Sequence, residues 1–106
     1  MSFEKLFSII KEKFLQADVS RVKSHVACEF QVQGEARGTF YVEIKDGEIS
    51  VEPYDYYDKQ ALFTATDKTY LEICQGELNP MIAFAVGRVK VTGELSKAQI
   101  IGTLFE

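Results

Sequence analysis

Few side chains in this 106-residue sequence could do chemistry, and their spacing argues against most of it. The one histidine, His25, would need a Ser or Cys nucleophile within hydrogen-bond reach to act as a general base, and none stands at a diagnostic spacing. It opens a strand pattern and reads as a solvated surface residue. Asp55 and Asp58 could form a carboxylate pair for acid–base work. They lie in Tyr54-Asp55-Tyr56-Tyr57-Asp58-Lys59, directly after Pro53, which reads as a solvated connector. The two cysteines, Cys28 and Cys74, are far apart and stand at apolar positions of their elements. Zinc would require about four N, S or O ligands, a set the chain does not assemble, so no metal and no cofactor are expected. Gly34 and Gly38 bound a turn instead of cradling a phosphate. The expectation is a protein that is not an enzyme. A small hydrolase or isomerase built on Asp55, Asp58 and the tyrosines ranks far behind.

Composition narrows the partners. A net charge of −4 lacks the basic stripe that neutralises nucleic-acid phosphates, and it disfavours strong docking on an anionic bilayer. At most transient membrane contact is expected. No stretch reaches the roughly 18 apolar residues of a spanning helix, and the N-terminal Met1-Ser2-Phe3-Glu4-Lys5 lacks a signal peptide's apolar segment. The last residues, Thr103-Leu104-Phe105-Glu106, are not a Ser-Lys-Leu address. A soluble cytoplasmic protein is the expectation, with one domain over residues 1–106. A hydrophobic share of 46% supports a folded core. Eight phenylalanines can fill that core or coat a pocket, and composition does not say which.

The elements follow from periodicity. Phe3, Leu6, Phe7, Ile10 and Phe14 recur at three- and four-residue steps, so the pattern predicts an amphipathic helix from Ser2 to about Gln16, capped by Ser2. From His25 the period becomes two. Val26, Cys28, Phe30 and Val32 share one face, Phe40, Val42 and Ile44 the next strand's, and Ile49 and Val51 a third's, with Asp46-Gly47 as hairpin turn. Their opposite faces, Glu29 and Glu43 included, are expected to be wet. Gln60 to Thr66 forms a fourth strand, Asp67 caps a helix from Lys68 to Gln75, and a last helix runs from about Leu95 to Leu104.

The stretch between Gly76 and Gly93 is the most distinctive. Asn79 is a favoured N-cap, Pro80 suits the first helical position, and Gly87 suits the left-handed exit. Met81 to Val86 carries no polar side chain, so this helix should be buried or should line something apolar. Arg88 to Thr92 then alternates as a fifth strand. Together the elements, an antiparallel three-strand meander, two further strands and helices gathered on one face, predict an α+β layer. An apolar pocket between the layers would be walled by Phe30, Phe40 and Val42 of the sheet, Met81, Ile82, Phe84 and Ala85 of the Asn-Pro helix, and Ala98, Ile101, Leu104 and Phe105 of the last helix. Patterning alone leaves open a pocket or a filled core.

Gly76, Leu78, Asn79, Pro80, Ala83, Phe84, Gly87, Arg88, Val89, Lys90, Val91, Thr92 and Gly93 match the most recognisable run of the sterol carrier protein type 2 domain family, and the chain resembles that family over nearly its whole length. The resemblance implies a five-stranded, mostly antiparallel sheet covered on one face by helices, with an apolar tunnel between the layers. It further implies a non-enzymatic intracellular carrier of a fatty acyl, acyl-CoA, phospholipid or sterol-like ligand. A charged head, if present, could meet Lys59, Lys68, Arg88 or Lys97. Lys97, Gln99 and Ile100 depart from the family's pattern in the last helix, so ligand choice is expected to differ. The alternative is a protein-interaction module with a closed cavity, acting as a homodimer or beside an acyl-metabolising enzyme.

Overall fold

In the computed structural model, which describes residues 1–105, the chain runs α1 (Phe3–Leu15), β1 (Val26–Gln33), β2 (Gly38–Lys45), β3 (Glu48–Glu52), β4 (Ala61–Thr66), α2 (Asp67–Cys74), α3 (Pro80–Ala85), β5 (Lys90–Gly93) and α4 (Leu95–Phe105). The sheet order is β3-β2-β1-β4-β5. Three of its ladders are antiparallel, and β1 pairs with β4 in parallel. The fold is α+β with a mostly antiparallel sheet, as the family resemblance implies.

The helix-covered face is where the period-two apolar residues meet. Register places Phe30 opposite both Phe40 and Phe63. Their rings stack at 4.7 and 4.5 Å, making a ladder of three phenylalanines across β2, β1 and β4. Leu6, Ile10 and Phe14 of α1 are buried on this face, and Phe14 stacks on Phe105 of α4 at 4.8 Å. Tyr70 of α2 is buried among these rings and donates its hydroxyl to the Gln31 carbonyl at 3.2 Å. A buried hydroxyl needs that partner.

The opposite face is not simply wet. To bring β4 alongside β1 in parallel, the chain from β3 must cross the sheet, and it does so along residues 53–60. The Tyr56 N–H donates to Glu29 Oε1 at 2.9 Å, and Lys59 Nζ lies 3.5 Å from the same oxygen. Glu29 is therefore 3% exposed, against the expectation of a solvated strand residue. The Tyr56 ring packs on Tyr41, and its hydroxyl donates to Glu43 Oε2 at 2.7 Å. His25 Nε2 lies 2.7 Å from the same Glu43 oxygen, so the histidine is a tied residue at the sheet's end and not a free one. Asp55 and Asp58 are exposed, as a solvated connector requires.

Two further details differ from the sequence reading. Thr66, not Asp67, caps α2, accepting from the Thr69 N–H at 3.1 Å. Asp67 is turned to the β1–β2 connection, where it accepts from the Ala36 N–H at 2.9 Å. The fifth strand pairs only from Lys90 to Gly93, because the turn after α3 still occupies Arg88: its N–H bonds back to the Ala83 carbonyl at 2.9 Å.

Candidate functional site

An apolar pocket lies over the β1–β4–β5 half of the sheet. Phe30 and Phe63 form its floor, Tyr70 and Ile73 of α2 one wall, Pro80, Met81 and Phe84 of α3 another. Val89 and Val91 close it from the sheet edge, and Leu95, Ala98, Gln99, Ile101, Gly102 and Phe105 of α4 complete it. Gln99 supplies the one polar side chain besides the Tyr70 hydroxyl, whose hydrogen is already committed. Burial pushes the Tyr70 phenol far above its ordinary value, which keeps it neutral.

The cavity volume is about 50 Å³. Roughly 10–15 Å³ by this measure suffices for one water, whereas small-molecule sites commonly span about 300–1,000 Å³. A few waters would fill it.

Sequence order explains where each expected wall residue falls. Phe30, Met81, Phe84, Ala98, Ile101 and Phe105 come together at the pocket. Phe40 and Val42 are buried on β2, on the half of the sheet that α1 covers, with Phe40 5.7 Å from Phe7. Ile82, Ala85 and Leu104 do not line the pocket. Phe63, Tyr70, Ile73, Val89, Val91, Leu95 and Gly102 line it without having been singled out. The alternation of Arg88 to Thr92 carried the signal for the two valines; nothing in the periodicity marked Gly102.

The Asn-Pro helix departs most from expectation. Asn79 does cap it, accepting from the N–H groups of Met81 and Ile82 at 2.8 and 3.2 Å. Its only buried residue, however, is Ala83. Ile82 is 58% and Val86 65% exposed, and Met81, Phe84 and Leu95 are exposed at the pocket's edge. One turn and a half of helix has too little circumference in contact to hide an apolar surface on every side.

Neither cysteine is poised to react. Burial pushes the Cys28 thiol up to about 12 and Cys74 to about 11, so neither ionises near neutral pH. Among the described residues no group of His, Cys, Asp and Glu could hold a metal ion.

The profile of the SCP-2 sterol transfer family matches residues 3–106. The chain belongs to this family. It is 34% identical over 61 residues to sterol carrier protein 2 of Arabidopsis thaliana, covering 58% of this chain and 50% of that protein. It is 31% identical over 98 residues to hydroxysteroid dehydrogenase-like protein 2 of Pongo abelii, covering 90% of this chain and 22% of that one. The chain thus spans half or less of these relatives' lengths. In fold it is similar to palmitated SCP2L2 of Aedes aegypti, with a TM-score of 0.76 and 16% identity over 100% of this chain and 96% of that one. The five-stranded sheet and four helices are accordingly those of SCP-2 domains. Among the described residues no helix is long and apolar enough to cross a membrane.

Proposed function

We propose that this SCP-2 family domain is a non-enzymatic carrier that holds one apolar acyl chain between α3, α4 and the β4–β5 side of the sheet. The observation that carries the reading is the pocket at that place, apolar on nearly every side, edged by exposed apolar residues of α3 and α4. Phe30, Met81, Phe84, Ala98, Ile101 and Phe105 are its proposed contacts. Each buried methylene contributes about 0.8 kcal/mol, so a sixteen-carbon chain gains roughly 12 kcal/mol before ordering costs of several kcal/mol. What is left corresponds to about micromolar affinity or better.

The chain does not fit a 50 Å³ space, so the pocket must widen. The wall with least to lose is α3, which buries a single side chain. Its outward movement would expose little that is not exposed already. The same exposed residues, Ile82 and Val86 among them, are the ones that would touch a bilayer briefly during transfer.

Native mass spectrometry and titration with palmitate test this. One bound chain per protein, with about micromolar affinity, is the expected result. Absence of any uptake, and of any lipid in freshly purified protein, would overturn it and favour a closed interaction module.

A further inference from the structure

β5 separates two environments. Val89 and Val91 face the apolar pocket, while Arg88, Lys90 and Thr92 face the other way, into a broad open groove of about 500 Å³. That groove lies against the uncovered side of the β4–β5 ladder and reaches the start of α2. Thr64 and Thr66 join Thr92 in lining it with hydroxyls, while Thr69 is buried beneath them with its oxygen bonded to Thr66 and Arg88. With Arg88 and Lys90 it presents two cations and three hydroxyls, and no carboxylate lines it. In a protein of net charge −4 the lining charges here are both positive, with Glu72 pairing Arg88 from outside the groove.

Arg88 is held for such a role. Its Nη2 donates to Thr69 Oγ1 at 3.1 Å and lies 3.2 Å from Glu72 Oε2. Both contacts use one nitrogen, so among the described residues Nη1 and Nε remain available to a planar or tetrahedral oxyanion. Glu72 fixes the guanidinium without being a wall of the groove. Lys90 is exposed, pairs in register with Thr64 across the ladder, and makes no ion pair among the described residues. Arg suits bidentate contact with phosphate oxygens and Lys a point-charge contact.

The geometry points to a phosphoryl-binding site in this groove, on Arg88, Lys90 and the surrounding threonine hydroxyls. The anion is a phosphate group, either free or as the head of an amphiphile whose chain occupies the apolar pocket on the other side of β5. The second form rests on the carrier reading; the first does not.

Amide NMR titrations of the full chain with three probes separate them. Inorganic pyrophosphate is expected to shift the amides of residues 64–69 and 88–92 in a saturable, salt-sensitive manner. Lys90→Gln, which breaks no internal contact, should weaken it about threefold, and Arg88→Gln about tenfold. Unshifted groove amides with pyrophosphate, or binding unchanged in Lys90→Gln and Arg88→Gln, overturn the site. Dodecanol reports the pocket alone: if it fails to shift residues 81–102, the carrier reading fails while the pyrophosphate result stands. Dodecyl phosphate should bind at least tenfold more tightly than pyrophosphate and shift both regions if one amphiphile spans β5. Equal affinities would restrict the site to free phosphate groups.

Discussion

A methyl placed at Gly102 would point at Met81, with an ideal Cβ 3.5 Å from the Met81 Sδ. That is ordinary contact, so Gly102→Ala should be accepted, and Ala is favoured over Gly within a helix by about 0.5–1 kcal/mol. A melting temperature raised by a few degrees would confirm it. Gly102→Leu reaches further into the pocket and should lower palmitate uptake at least tenfold while leaving the circular dichroism spectrum intact; unchanged uptake would place the chain elsewhere. On the other face, Glu43 is the residue to titrate. Burial would raise its carboxyl, but the hydrogen bonds from Tyr56 and His25 outweigh it and hold the group below its ordinary value. The same bond pushes the Tyr56 hydroxyl up to about 12. A depressed carboxyl adds stability above its unfolded value, about 4.3, and loses it as pH falls through the lower folded value. Glu43→Gln should therefore cost about 1 kcal/mol at pH 7 and progressively less toward pH 3, read from paired melts.

At the scale of elements, the link between β5 and the sheet is tighter than its four residues suggest. Gly93 has φ +98°, and a Cβ there would lie 2.5 Å from the Gln60 carbonyl oxygen, which itself accepts from the Glu94 N–H. Gly87, ending α3 with φ +83°, has open space around it. Gly87→Ala should thus cost only the backbone's penalty of about 1 kcal/mol, and Gly93→Ala clearly more, since carbonyl and strand must part. Urea melts of the two variants make the comparison. Helices and strands were legible because each buries one face, and the period of that face shows in the sequence. The parallel pairing of β1 with β4 was not, since both strands read identically whichever direction they run. Nor was the crossing over Glu29, because Tyr56 seals it through a backbone N–H that no side-chain pattern reveals. The Asn-Pro helix misled for a related reason. Its uniform apolarity fits a buried segment, yet exposure was set by its shortness and by how little packs on it.

For the whole molecule, the proposed carriage of an acyl chain would make binding an opening reaction, given the small pocket and the weakly buried α3. In such a reaction the measured affinity is the intrinsic affinity reduced by the open fraction. Once bound, the acyl chain would supply the apolar contacts that α3 lacks on its own. Ligand that binds only the folded form adds about 2.7 kcal/mol of stability at a hundredfold excess over Kd. For a domain near this length each kcal/mol moves the midpoint by about 4–8 °C, so saturating palmitate should raise Tm by roughly 10–20 °C. Hydrogen exchange should slow most at the amides of α3, which gain most, and least in β2 and β3, whose cover by α1 does not change. A Tm that stays put at saturating palmitate, or protection spread evenly over the chain, would mean that α3 is not the wall that yields.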